Sequence, residues 1–218
     1  PHTFATCEVC TAPMNTTAPT RLPPALEPAL QRVRLAARTA AERTVEALSL
    51  SAMSASNTAQ RDALLNGQFE LNRKLAIFTL TFNESLENQV AKQVSPRTST
   101  PSAPTTWDTM SLVEDHEVEI KVHAERFALN IQNQCEWEIR ELDQYMGAVL
   151  RLGAADKERN PLRPEVIGQA MVRAVEATTE RPEVQKVLLT EGGRSTAQSM
   201  GQTYIDIMSG LRGRGGRP

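Results

Sequence analysis

The chain has 218 residues, enough for one large domain or two small ones, and a formal net charge of −2, which sets up no global field for nucleic acid or an anionic membrane. Hydrophobic residues make up 40% of it but aromatics only 4%, so Ala and Leu carry most of the apolar content, as suits helix packing better than sheets. No apolar run reaches the roughly 18 residues of a membrane span, and no basic segment with an apolar core behind it opens the chain as a secretory signal would.

Residues Pro1 to Pro13 have no periodicity, and Met14 is followed by NTTAPTRLPP. Residues 1–23 read as a disordered leader, with Met14 the expected natural start. Within it, Cys7-Glu8-Val9-Cys10 has the spacing of half a zinc site or a redox pair. No second CxxC or His pair lies at finger spacing and no strand–helix–strand pattern surrounds it, so neither role is expected. The three cysteines, Cys7, Cys10 and Cys135, make no disulfide framework, and a reducing cytoplasm is the expected compartment.

Residues 24–93 read as an N-terminal helical segment. Pro28 fits a first-turn position, where its missing N–H costs nothing. Leu30, Val33, Ala37, Ala41, Val45 and Leu48 recur at helical steps of three and four. Ser49 to Asn57 reads as a break, with Ser56 or Asn57 the N-cap of the next helix. Gly67 is expected to interrupt that helix. Leu71, Leu75, Phe78, Phe82, Leu86 and Val90 form the strongest apolar stripe. Ile77 and Leu80 widen it, which predicts a helix covered on more than one side. Residues 94–106, Pro-, Ser- and Thr-rich, read as an exposed flexible linker.

Residues 107–211 read as a second helical segment. Asp108 or Ser111 can cap its first helix, and Ser111 with Glu114 forms a capping box. Glu114, Asp115, Glu117 and Glu119 follow near the positive end of the helix dipole, where each carboxylate contributes about 0.3–1 kcal/mol. This acidic head is the candidate interaction surface. The stripe Val113, Ile120, Ala124, Phe127, Ile131, Cys135, Leu142, Tyr145, Val149 continues for about 60 Å at about 1.5 Å per residue, with a bend expected between Asn130 and Gln134 and an end at Gly153. Asn160-Pro161-Leu162-Arg163-Pro164 is a loop into a helix carrying Ile167, Met171, Ala174 and Thr178. Pro182 starts another with Val184, Val187 and Leu188, which Gly192-Gly193 is expected to break. Met200, Tyr204, Ile207, Met208 and Leu211 mark the last helix, and residues 212–218 form a Gly/Arg-rich linker or tail. No alternating strand pattern competes. The fold class is all-α: two bundle-like segments of long amphipathic helices on a Pro/Ser/Thr-rich linker.

No catalytic, cofactor-binding or metal-ligating residue emerges, and no cofactor is expected. His116, Glu119 and His123 share a helix face, but seven residues put the rings about 10.5 Å apart along the axis, too far for one ion. Cys135 sits on an apolar stripe beside Glu136 and Glu138, which disfavour the thiolate; it reads as a buried structural cysteine. Gly192 to Thr196 could bind an anion through N–H groups and Arg194 if a helix began there, but a helix break capped by Ser195 is the simpler reading. Arg212, Arg214 and Arg217 have no aromatic companion, and three cations give little affinity at physiological salt; a flexible link is preferred.

The segments MSLVEDHEVE, ELDQYMGAVL, NPLRPEVIGQAM and TYIDIMSGLRGRG together resemble a bacterial family of unknown function, DUF1631. The resemblance rests on Ser111, Leu112, Val113, Glu117, Val118, Glu119, Asn160, Pro161, Leu162, Pro164, Tyr204 and Leu211, and more loosely on NTAQRDALLNGQFELNRKLAIF. It spans Pro24 to Pro218. The chain departs from the pattern at Met208 and Ser209, and at Gly192-Gly193, where the family pattern implies an uninterrupted helix. The resemblance implies a piece of a longer protein and supplies no catalytic residues. Some members carry a thymidine phosphorylase label, for which no glycine-rich phosphate loop stands here. The expected role is a non-enzymatic interaction or regulatory module, partnered by another protein or a downstream domain. The alternatives are an accessory part of an enzyme or nucleotide-sensing protein, and nucleic-acid binding through Arg32, Arg34, Arg38 and the C-terminal arginines.

Overall fold

The computed structural model describes residues 24, 26–94, 110–149 and 160–213, and of residues 110–117, 148 and 149 the backbone alone. Among the described residues there are seven helices and no strand: α1 (Glu27–Met53), α2 (Thr58–Arg73), α3 (Leu75–Val94), α4 (Met110–Gln134), α5 (Glu136–Val149), α6 (Pro164–Thr178) and α7 (Pro182–Gly213). None of them is long and apolar enough to cross a membrane. The leader with its CxxC, the linker from residue 95 on (Val94 ends α3), Trp107, Asp108, Gly153, Arg214 and Arg217 lie outside the described residues.

The two segments share one core. α1 packs mainly on α7 and α2, α3 mainly on α6, and α4 on α6 and α7. Each stripe of the first segment therefore finds its partner in the second, and one cluster joins Leu30, Val33 and Leu48 of α1, Phe78, Phe82 and Leu86 of α3, Phe127 and Ile131 of α4, Ile167 and Met171 of α6, and Met200 and Tyr204 of α7. α6 has α3 on one side and α4 on the other, and so buries residues around most of its circumference, from Val166 to Thr178.

Several local expectations are revised. The first helix does not stop at Ser49. It runs to Met53, because Ser49 Oγ donates to the Val45 carbonyl at 3.2 Å, so the serine meets its polar needs inside the helix. The break is confined to Ser54–Asn57. There Asn57 caps α2, its Oδ1 accepting from Gln60 N at 2.8 Å, while Gln60 Oε1 accepts from Ser56 N at 3.3 Å. Gly67 does not interrupt α2. A Cβ there would stand 3.2 Å from Val187 Cγ2, so the glycine serves close approach to α7.

Gly192 and Gly193 do not break α7 either, which passes through them unbroken. A Cβ on Gly193 would fall 2.9 Å from Asn130 Nδ2 and 3.5 Å from Phe127 Cδ2 of α4, and on Gly192 4.0 Å from Thr44 Oγ1 of α1. The pair costs helix propensity, up to about 1 kcal/mol each, and lets two helices cross α7 at contact distance. An anion site at a helix start beginning there is thereby excluded.

The long helix of the second segment bends at Cys135, one residue beyond the expected stretch. The ladder almost survives: Cys135 N donates to Ile131 O at 2.9 Å and Ile139 N to Cys135 O at 3.0 Å. Ile77 and Leu80, expected to be covered, are exposed. The stripe through Phe78 and Phe82 faces α6, and no described helix packs over the opposite face.

Candidate interaction surface

α4 carries two rows of apolar side chains. Ile120, Ala124, Phe127 and Ile131 point inward and are buried. Val118, Val122 and Leu129, at i, i+4 and i+11, form a second row that is exposed. Past the Cys135 bend, Trp137 stands on α5 at 79% exposure, with the Arg140 guanidinium 5.9 Å from its ring centroid. A single exposed leucine needs no explanation; here three exposed apolar side chains lie in a row on α4, with an exposed tryptophan on the adjoining helix.

Two clefts border this surface. One, of about 440 Å³ between α4 and α7, is lined by His123, Arg126, Phe127, Leu129, Asn130, Asn133, Lys186, Leu189 and Thr190. Its rim carries donors and no carboxylate. The other, of about 620 Å³ at the bend, has Gln132, Glu136, Arg140 and Asp143 on one wall and Arg163, Pro164 and Glu165 on the other. Its groups largely satisfy one another: Gln132 Nε2 donates to Glu165 Oε1 at 2.7 Å and Arg140 to Glu136 Oε1 at 2.6 Å.

Of the acidic head, Glu114, Asp115 and Glu117 lie on helical backbone in the first turns of α4, and their side chains, with that of His116, lie outside the described residues. Glu119 is exposed and stands 3.9 Å from His123 Nε2. So Glu119 meets an imidazole one turn on, and Glu114, Asp115 and Glu117 lie directly N-terminal to Val118 and Val122 along α4. The sequence reading found the carboxylates and missed Val118 as a surface residue, Val122, Leu129 and Trp137. The signal was available as a second helical period offset from the main stripe.

The Asn160–Pro164 turn and Tyr204, separated by some forty residues in the chain, meet in the core. Asn160 is buried; its Nδ2 donates to Asp143 Oδ1 at 2.7 Å and its Oδ1 accepts from Leu162 N at 2.9 Å, which pins the turn to α5. Tyr204 is fully buried and its hydroxyl donates to the Leu162 carbonyl at 3.3 Å. Burial, with a smaller contribution from nearby negative charges, pushes its phenol well above 10.0. Cys135 is buried as expected, its thiol 3.7 Å from the Ala197 carbonyl. Burial first, then Glu138, raises it from 9.0 to about 11.

This makes a direct prediction. In a Cys7→Ser, Cys10→Ser background, a thiol reagent at neutral pH should label Cys135 slowly in the folded chain and fast in urea; fast labelling of the native form would show an open, ionisable thiol. The sign of the pH dependence follows. Between pH 9.0 and about 11 the unfolded thiol has lost its proton and the folded one keeps it, so this group's contribution to stability falls as pH rises through that window.

The arginines of the nucleic-acid alternative are largely occupied. Arg34 pairs with Glu27 and Glu87, and Arg38 with Glu42. Arg212 pairs with Glu141, and its Nε donates to the Tyr145 hydroxyl at 2.7 Å. Arg32 lies against Gly210.

The architecture is that of an all-helical domain in which two sequence segments build one core. The family model described as the N-terminal domain of a protein of unknown function, DUF1631, matches residues 21–214, and the chain belongs to that family. No match was found among the curated proteins or among the solved structures.

Proposed function

We propose that this domain is a protein-interaction module with no chemistry of its own, and that it binds its partner along the outer face of α4 and α5. The observation that carries this reading is the exposed row Val118, Val122, Leu129 on α4 together with exposed Trp137 on α5. Apolar area that includes an exposed aromatic is where binding energy concentrates in protein interfaces. The acidic turns ahead of the row add a place for cations of the partner. The reading without catalysis is supported by the two buried groups whose ionisation shifts: Cys135 and Tyr204 both move away from the charged form, the opposite of what a nucleophile or base needs at neutral pH. The internal pairing of Arg34, Arg38 and Arg212 weighs against a nucleic-acid surface.

The test is a photo-crosslinking residue placed at Val122 in the full-length protein in cells, with Ile205, an exposed apolar position on α7, as control. We expect a defined protein adduct at Val122 and not at Ile205. The crosslinked protein, once purified, should lose at least about tenfold in affinity for the Leu129→Asp or Trp137→Ala chain. Equal adducts at both positions, or affinity untouched by these substitutions, would rule out this face.

A further inference from the structure

A second exposed apolar row lies on the far side of the molecule's first segment, and its pattern is self-complementary. Arg73, Ile77, Leu80 and Glu84 stand at i, i+4, i+7 and i+11, so they share one line along the helix. The line crosses the joint between α2 and α3, where the ladder persists: Lys74 N donates to Glu70 O and Phe78 N to Lys74 O, both at 2.9 Å. Ile77 and Leu80 are exposed at 48% and 59%, and Phe69 extends the same face one turn before Arg73. Arg73 and Glu84 are exposed, and neither enters an ion pair with a described residue.

The joint is fixed from behind. Lys74 Nζ donates to the Thr178 carbonyl at the end of α6 at 2.6 Å, and Glu70 sits 3.8 Å from Lys74 Nζ and 3.7 Å from Arg181 Nη1. The buried stripe of α3 is meanwhile held against α6 by Phe78, Phe82 and Leu86. The row is thus presented on a rigid helix, which lowers the ordering cost of binding.

Read in one direction the row runs cation, apolar, apolar, anion; read in the other it runs anion, apolar, apolar, cation. An antiparallel second copy therefore sets Arg73 against the other copy's Glu84, Ile77 against its Leu80, and the reverse pair of each. This is the isologous pairing a two-fold axis demands, each contact made twice. A parallel copy would stack Arg73 on Arg73 and Glu84 on Glu84. We propose that this face is a self-association surface, and that the chain forms an antiparallel two-fold dimer through Arg73, Ile77, Leu80 and Glu84. A surface this narrow gives a reversible, concentration-dependent dimer.

The test is sedimentation of the 218-residue chain across concentration, with charge variants. The unmodified chain should move from monomer toward dimer as concentration rises, and Leu80→Asp should remain monomeric. Arg73→Glu and Glu84→Arg should each weaken the dimer by at least about tenfold, since one reversal turns both symmetric attractions into repulsions. The two variants mixed, or combined in one chain, restore opposite charges at the interface and should return the affinity to within about threefold of the original. Helix content by circular dichroism checks that each variant is folded; Arg73 and Glu84 can be reversed without breaking a described internal pair. A monomer at every concentration would overturn the proposal and leave the face to a different occupant. So would a dimer indifferent to Arg73→Glu, or single reversals that the double reversal fails to rescue.

Discussion

Gly168→Ala should destabilise the domain by about 3 kcal/mol, although the same change in an open helix stabilises by up to about 1 kcal/mol. The added Cβ would stand 2.6 Å from the Ala124 carbonyl oxygen and 3.3 Å from its carbon. The obstacle is backbone inside the α4 ladder, so no rotamer change relieves it; one helix must move. α6 cannot retreat freely, because it is packed against α3 as well as α4, and its Ile167, Ala170 and Met171 are all buried. The control is Gly201→Ala. Its Cβ would meet only Cys135 Sγ at 3.7 Å, an ordinary contact, so this variant should gain about 0.4–1 kcal/mol. Urea unfolding followed by circular dichroism at helix wavelengths measures both. Opposite signs support α4 and α6 crossing at this spot. A neutral Gly168→Ala would show that the two helices do not approach this closely.

That contrast also explains what the sequence could and could not disclose. Helical periodicity was legible wherever one face is buried: Leu30, Val33, Ala37 and Leu48 of α1, and Met200, Tyr204, Ile207 and Leu211 of α7, are in the core as their spacing demands. Asn57 was legible as a cap because its chemistry is local. The glycines were not. Read locally, Gly67 and Gly192-Gly193 are helix breakers, and the fact that another helix passes over each is information held by residues far away in the chain. The continuity of α7 through Gly192 and Gly193 also agrees with the uninterrupted helix the family pattern implies, where the glycine pair itself had read as a departure. Ser49 to Met53 misled for the opposite reason: serine's alternative bonding can be satisfied inside a helix as well as outside it.

The surfaces were half legible. Acidic residues at Glu114 to Glu119 stand out in a string of letters, but their place in the first turns of α4, near the positive end of its dipole, accounts for them without a ligand. Val118, Val122 and Leu129 fall outside the main stripe of α4 and carry no such chemical label. Ile77 and Leu80 looked like a wider core face. A period in the sequence says that residues share a side of a helix. It does not say whether anything of the same chain covers that side, which depends on how α3, α4 and α6 stack.

Tyr204→Ala should cost about 3–5 kcal/mol, by the cavity it opens, whereas Tyr204→Phe should cost only about 1 kcal/mol, the worth of one hydrogen bond. The ring is fully buried on α7, and its hydroxyl reaches the carbonyl of Leu162, itself fully buried in the turn before α6. That turn is tied in the other direction to α5, by Asn160 bonding Asp143. Tyr204 and the Asn160–Pro164 turn are thus two ends of one structural joint connecting α5, α6 and α7. Asn160, Leu162 and Tyr204, three residues that carry the family resemblance, therefore sit in the core, where they set packing. Leu162→Ala tests the joint from its other side. It should cost about 2–5 kcal/mol, and combined with Tyr204→Ala it should cost less than the sum of the two, because both substitutions empty the same contact. Chemical unfolding of the four variants gives the coupling energy directly. Strict additivity would mean the two side chains do not share a contact, and a Tyr204→Phe loss as large as that of Tyr204→Ala would mean the hydroxyl serves more than this joint.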